Sequence, residues 1–205
     1  SDGVDEKLDV NGAIAVSVAA FQDWFSRQTG SQIRLDTYQG FLDISFFRLR
    51  RTDAEIRSHN AFVRDQIEYE LWASGEYELN NKMYAIYYGG GSNWSCGGGA
   101  WPPELLGNTA ALYLKGTPPG ATPCATNLLA SSANAPGYWE FSMVHEIIHT
   151  LGVVGSCAPH HTRRGHVSDD PRDLMYAGPL PWQPSLLDVG HDDYFRAPNK
   201  MHSTA

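Results

Sequence analysis

Two histidines one helical turn apart constrain this chain more than any other feature. Residues 138–152 place apolar side chains at spacings of three and four, which predicts a helix with one apolar face. His145 and His149 should therefore lie one above the other on a second face of that helix. Gly152 is typical of a helix end. The apolar residues are Phe141, Val144, Ile148 and Leu151.

The spacing of these histidines suits a metal ion. Two neutral imidazoles so placed can bind one Zn²⁺ at about 2.0–2.1 Å each. Glu146 follows the first histidine directly, so it can reach a metal-activated water without binding the metal itself. We therefore expect Glu146 to act as a general base. The alternative is a pair of ordinary helix histidines beside a surface glutamate.

A zinc site needs a third protein ligand, and the segment after the helix is rich in candidates. We favour His166, which precedes Val-Ser-Asp-Asp and lies nine residues before Met175. His160 follows Ala-Pro and is one alternative. Asp169 or Asp170 is the other, since carboxylates also bind zinc.

The helix motif and a later turn together resemble the metzincin metallopeptidases. The pattern H-E-x-x-H-x-x-G is matched through Gly152, whereas the third-ligand position of that family falls on Gly155, which has no side chain. Residues 173–176, Asp-Leu-Met-Tyr, look like the Met-turn of the family. The resemblance implies that Met175 forms an apolar floor beneath the metal.

A role for Tyr176 is also implied by this resemblance. Its hydroxyl would stabilise the oxyanion that develops on the scissile carbonyl. The family's tyrosine stands two residues after the methionine, whereas Tyr176 is adjacent to Met175. A plain core role for Tyr176 therefore remains the alternative.

Residues 138–195 are also similar to a group of poorly characterised bacterial proteins. The resemblance as a whole implies a secreted, extracellular bacterial enzyme with one catalytic Zn²⁺ and a peptide or protein substrate. Two alternatives keep the metal: a non-catalytic, metal-stabilised binding module, and a zinc amidohydrolase acting on a non-peptide amide. The 6 Trp and 10 Tyr leave open a carbohydrate- or protein-binding domain without metal.

Composition limits the partners. With 42% hydrophobic residues the 205-residue chain can form a core, and a net charge of −8 argues against nucleic-acid binding. No apolar run of about 18 residues exists, so we expect no membrane span. We expect a monomer. The sequence starts Ser-Asp-Gly without Met, as expected of a mature or trimmed chain.

The periodicities predict a single α/β (α+β) domain over residues 1–205, with an upper part to about 152 and a loop-rich lower part over 153–205. A backing helix should end at Gly30, and a hairpin should turn at Gly40. A second helix, capped at Thr52 or Asp53, should run to Gly75 and bury one apolar face. That face comprises Ile56, Val63, Ile67 and Leu71.

A mixed, twisted sheet should complete the domain. Residues 83–88 form a short apolar run, predicted to be a strand buried on both sides. Residues 109–114 form another, which we expect at the sheet edge, where it would bind substrate by strand addition. Gly97–Gly99 and Trp101, in a stretch rich in Gly and Pro, would line a rim beside it.

Two further features remain open in the sequence. One disulfide is expected, either Cys96–Cys124 or Cys124–Cys157. Three aspartates after the Met-turn-like segment offer hard oxygen ligands for Ca²⁺, and the alternatives are a polar turn or an aspartate that orients a zinc histidine. These aspartates are Asp188, Asp192 and Asp193.

Overall fold

The computed structural model describes residues 2–75, 77, 82–100 and 107–196, and within them it confirms a mixed α+β class. The helices are α1 (Ala13–Thr29), α2 (Asp53–Arg57), α3 (Val63–Ser74) and α4 (Tyr138–Thr150). The strands are β1 (Thr37–Tyr38), β2 (Phe41–Leu42), β3 (Tyr84–Tyr88), β4 (Gly97–Gly98), β5 (Thr109–Tyr113), β6 (His161–Thr162) and β7 (His166–Val167).

Within the described residues, the main sheet has three strands in the order β3-β5-β4. Strand β5 runs parallel to β3 and antiparallel to β4, and every residue of β5 is buried. The prediction that residues 109–114 form the sheet edge is therefore wrong, and β4 occupies that edge beside α4. Strand β3 is only half-buried, which corrects the prediction of burial on both sides. The strand that is buried on both faces is the central one, β5.

Strand β5 separates two apolar clusters. Ala110 and Leu112 face the cluster that contains α1 and α4. Ala111 and Tyr113 face the cluster built on α2 and α3. This alternation follows from the two-residue period of a strand and places helices on both faces of the sheet.

The second predicted helix is interrupted. Thr52 and Glu55 form a capping box at the start of α2, as expected. Asn60 then adopts a φ of 53°, a left-handed conformation that an α-helix does not tolerate. The chain continues through a short 3-10 turn into α3, which ends at Gly75. All four apolar residues predicted for this region are buried in one cluster.

The N-terminal helix and hairpin are found where expected. Helix α1 ends at Gly30, whose φ of 73° favours glycine. The hairpin of β1 and β2 turns at Gly40 but has only two residues in each strand. Val10, which lies before α1, is exposed. The apolar face of α1 therefore begins at the helix itself.

The segment after α4 shares the core of the sheet and helices. Val167, Leu174, Met175 and Leu187 pack in the same cluster as α1 and α4. Strands β6 and β7 form a small antiparallel hairpin, and Val167 also pairs with Tyr176. This packing holds the hairpin and the turn at residues 173–176 against the helix.

A disulfide closes the loop around β4 and β5. Cys96 bonds to Cys124, and Cys157 is a free, exposed thiol. The structure therefore selects the first of the two predicted pairings. Among the residues that the structure describes, no helix combines the length and apolar character needed to cross a membrane.

Candidate metal centre

Helix α4 is anchored at its start by a buried carboxylate. Glu140 is fully buried and accepts hydrogen bonds from the backbone N–H groups of Gly137 and Ala130 at 2.9 and 3.0 Å. Its other contact is the Ser17 hydroxyl of α1, which donates to it at 2.5 Å. These bonds fix the position of α4 against α1. Glu140 was not among the residues predicted from the sequence, although Glu in the first turn of a helix is a recognisable capping signal.

Three histidines meet at the C-terminal half of α4. His145 and His149 come from α4, and His166 comes from β7. One nitrogen of each ring lies within 4.8 Å of the others, and the Nε2 atoms of His149 and His166 are 3.1 Å apart. The structure thus brings the favoured third-ligand candidate to the helix pair.

Backbone carbonyls orient two of the rings. His145 Nδ1 lies 2.7 Å from the Leu174 carbonyl oxygen, and His166 Nδ1 lies 3.1 Å from that of Arg163. A carbonyl can only accept, so Nδ1 carries the proton in both rings. Each Nε2 therefore keeps a lone pair that faces the cluster, an arrangement that metal-binding histidines use.

Burial keeps the cluster uncharged. It lowers the pKa of His145 to about 3 and that of His149 well below the ordinary value, and each effect is reinforced by a neighbouring histidine. The pKa of His166 is also lowered, chiefly by burial. Neutral imidazole is the form that binds a metal.

The donor set fits zinc. Two nitrogens bound to one tetrahedral Zn²⁺ at about 2.0–2.1 Å would lie roughly 3.3 Å apart. The observed separation of 3.1 Å between the Nε2 atoms of His149 and His166 is close to that value. Three neutral nitrogens leave the fourth position for water or substrate, as in catalytic zinc sites.

The side chain of Glu146 extends from α4 toward the edge strand β4. A Cβ on Gly97 would lie 2.6 Å from Glu146 Oε1, so the strand lies directly against this carboxylate. A Cβ on Gly99 would meet the backbone oxygen of Glu146 at 2.4 Å. The glycines predicted to line a rim thus allow β4 to pack on the helix. Trp101, the other predicted rim residue, lies outside the described residues.

The environment of Glu146 favours its neutral form. Burial raises the pKa of its carboxyl to about 8, although the Arg64 charge and a backbone hydrogen bond from Gly99 oppose this shift. A carboxyl with a pKa near neutrality can both take and return a proton at physiological pH. Such tuning is common at catalytic sites.

The turn at residues 173–176 supports the cluster through its backbone. Asp173 Oδ1 accepts from the Met175 N–H at 2.7 Å and from the Tyr194 hydroxyl at 2.9 Å, and Oδ2 accepts from the Val189 N–H at 2.9 Å. This carboxylate holds the turn so that the Leu174 carbonyl faces His145. This carbonyl carries no signal in the sequence, because its position depends on how the turn packs against α4.

The turn also places two side chains that the sequence singled out. Met175 is fully buried in the core cluster that includes Val144 and Ile148. Tyr176 is 5% exposed, and its hydroxyl accepts from the Leu180 N–H at 3.0 Å. Its oxyanion role stays a prediction, and the observed hydrogen bond suits a structural residue.

The alternative third ligands lie in a separate cluster. His160 Nδ1 contacts Asp193 Oδ2 at 3.1 Å and lies 3.8 Å from Asp169 Oδ2. One donor atom each from His160, Asp169 and Asp193 lies within 4.8 Å of the others. His160 and Asp169 therefore group around Asp193. Asp170, the remaining alternative, pairs with Arg172 at 2.7 Å.

Comparisons with family models, with curated proteins and with solved structures find no match for this chain.

Proposed function

We propose that the protein is a zinc-dependent endopeptidase of metzincin-like type. The observation that carries this proposal is the convergence of His145, His149 and His166, with Glu146 beside them on α4. His145, His149 and His166 would hold the ion through their Nε2 atoms. When bound, zinc would polarise the scissile carbonyl and lower the pKa of water toward 7.

Glu146 is the proposed general base. It would accept a proton from the attacking water and return it to the leaving amine. Its burial and its position beside β4 support this role, because a dry, fixed carboxylate needs little reorganisation during proton transfer.

The edge of the sheet offers a place for a peptide. Strand β4 pairs with β5 on one side, and no other strand among the described residues pairs with its other side. We propose that an extended substrate adds to β4, whose Gly97 lies next to Glu146 and which is followed by Gly99 beside His149. Secretion is part of the same proposal and is supported by the Cys96–Cys124 disulfide, since disulfides persist in oxidising compartments.

A non-catalytic, metal-stabilised module is the second candidate. The histidines connect α4 with β7, so a metal there would also fasten the C-terminal hairpin to the core. Such a module would keep its metal and its stability without turnover. A zinc amidohydrolase would have the same centre and differ in substrate.

The test is cleavage of a denatured, dye-quenched protein by zinc-analysed wild type and Glu146→Gln. The glutamine keeps the size of the side chain but cannot take a proton, so we expect activity to fall about 10²–10⁴-fold with zinc still near one per chain. Glu6→Gln, an exposed glutamate, is the charge-matched control and should retain activity.

Each other outcome has a clear meaning. Equal turnover by Glu146→Gln would remove the base assignment. A zinc-loaded wild type that cleaves neither proteins nor peptides would favour the binding module, and activity on non-peptide amides alone would favour the amidohydrolase. Absence of zinc from wild type would overturn the metal centre.

A further inference from the structure

A further group of metal-ligand side chains lies in the loop after the Met-turn-like segment and shares Asp193 with the group of His160 and Asp169. Asp188, Asp192 and Asp193 each offer one carboxylate oxygen, and the three oxygens lie within 4.8 Å of one another. Two oxygens on opposite sides of a Ca²⁺ ion would be separated by roughly 4.6–5.2 Å, twice the usual bond length. The three carboxylates are therefore close enough to share one ion.

Two oxygens of this cluster are buried without a protein hydrogen bond. Asp188 is 2% exposed, and its Oδ1 has no donor among the described residues. Asp192 Oδ1 is likewise buried and without a donor in this part of the chain. An unpaired buried carboxylate oxygen costs free energy, so such atoms call for a partner. A cation supplies one.

The remaining carboxylate oxygens hold the loop in shape. Asp188 Oδ2 accepts from the N–H groups of Tyr194 and Phe195 at 2.9 and 2.5 Å. The loop folds tightly at Gly190, whose φ is 84° and where a Cβ would lie 2.9 Å from Asp192 Oδ1. The hydrogen bonds to Oδ2 thus hold the unpaired Oδ1 of Asp188 in place. Close packing against Gly190 does the same for the unpaired Oδ1 of Asp192.

The loop is joined to the hairpin that carries His166. Asp193 Oδ1 accepts from the His160 N–H at 2.8 Å, and Oδ2 contacts His160 Nδ1 at 3.1 Å. The His160 carbonyl in turn accepts from the Ser168 N–H at 3.1 Å, which closes the β6–β7 hairpin around His166. Asp193 therefore links the aspartate cluster to the base of this hairpin.

We propose that Asp188, Asp192 and Asp193 bind a calcium ion, and that this ion fastens the β6–β7 hairpin so that His166 is held toward α4. Carboxylate oxygens are hard ligands, which favours Ca²⁺ over Zn²⁺. The calcium site is independent of peptidase activity, whereas its effect on His166 rests on the metal centre proposed above.

Calcium binding is measured first, by calorimetry and thermal unfolding of metal-stripped protein with CaCl₂. The protein should carry His149→Ala, which removes the histidine centre and isolates the aspartate cluster. At free calcium of about 100 times Kd, we expect Tm to rise by about 5–11 °C. Asp192→Asn should weaken calcium at least tenfold, whereas Asp43→Asn, an exposed aspartate outside the cluster, should not.

A second variant guards against misfolding. Asp188→Asn also removes a carboxylate, but it can disturb the bonds to Tyr194 and Phe195, so its circular dichroism is compared with that of wild type. No heat and no Tm shift with 10 mM CaCl₂ would overturn the calcium site. An unchanged calcium affinity in both aspartate variants, or a Tm rise with Zn²⁺ and none with Ca²⁺, would overturn it as well.

The link to His166 is tested on protein with an intact histidine centre. We expect calcium to tighten zinc binding severalfold in wild type and to have no effect on it in Asp192→Asn. Equal zinc affinity with and without calcium in wild type would refute the link while leaving the calcium site itself intact. This result would be distinct from loss of the peptidase proposal, which depends on turnover.

Discussion

The histidine cluster and the aspartate cluster differ in how the chain builds them. The histidine cluster stands on α4 and β7, and backbone carbonyls of Leu174 and Arg163 orient two of its rings. The aspartate cluster stands on a loop whose own backbone N–H groups hold Asp188. The first presents neutral nitrogens and the second presents carboxyl oxygens. Donor chemistry therefore separates the two sites even though both lie next to the same hairpin.

The largest expected effect removes a zinc ligand. His166→Ala should weaken zinc more than about 100-fold, because even a change in the groups that orient a ligand costs 10–100-fold. Calcium binding should persist, since Asp193 contacts the other end of the hairpin through His160. Competitive titration with a zinc chelator measures the first effect, and calorimetry measures the second. Retention of tight zinc by His166→Ala would show that another side chain completes the site.

A matched change in the other cluster completes this comparison. Asp192→Asn is expected to lose calcium while still binding zinc in the absence of calcium. If His166→Ala and Asp192→Asn each abolished both metals, the two clusters would have to be treated as one site.

The difference between the clusters also explains what the sequence could predict. The spacing of His145 and His149 follows from helical periodicity, so the helix and its paired imidazoles were predictable. The choice among His160, His166 and Asp169 depended on how a loop returns to the helix, and periodicity carries no information about that path. The sequence reasoning favoured His166, and the structure places it beside α4.

In the sheet, too, the predictions that depended on local sequence held, whereas those that depended on long-range strand pairing did not. The apolar run at 109–114 predicted a strand, but only the pairing of β5 with both β3 and β4 makes it central. Gly97–Gly99 were predicted to line a rim, and in the structure they permit close packing of β4 on α4. The break at Asn60 came from a left-handed residue that helix propensity does not reveal. The single-domain boundaries and the monomeric state stay predictions.

A residue between the clusters should affect both. Asp173 holds the turn that presents the Leu174 carbonyl to His145, and it also accepts from the Val189 N–H beside Asp188. Asp173→Asn replaces one acceptor oxygen by an NH₂ group, which cannot accept a hydrogen bond, so a buried donor is left unpaired. We expect a loss of about 2 kcal/mol in the free energy of unfolding. Denaturant titration measures it.

The metal affinities of the same variant sharpen the comparison. Zinc and calcium should both weaken, by about tenfold, because the variant loosens the support of each cluster. Weakening of zinc alone would show that the Val189 contact does not position the aspartate loop. An unchanged free energy of unfolding would contradict the role given to Asp173.

The smallest expected effect concerns a buried carboxylate that needs no metal. Glu70 is 7% exposed and accepts hydrogen bonds from the Arg50 N–H and from Arg51 Nε at 2.5 and 2.7 Å. Burial alone would raise the pKa of Glu70, but the bonds from Arg51 and the backbone hold this pKa below its ordinary value. Both carboxylate oxygens of Glu70 therefore have hydrogen-bond donors from the protein, in contrast to Oδ1 of Asp188, which has none among the described residues.

The pH dependence of Glu70→Gln follows from this lowered pKa. In wild type, the ionised Glu70 stabilises the fold above the unfolded pKa of 4.5, and this contribution is lost as pH falls through the lower folded pKa. Glu70→Gln should therefore cost about 1 kcal/mol at pH 7, and less as pH falls below about 4.5. Denaturant titrations over that range, with and without CaCl₂, measure the difference. A cost that changed with calcium would show that Glu70 is linked to the aspartate cluster. A cost that grew toward acid pH would contradict the lowered pKa of Glu70.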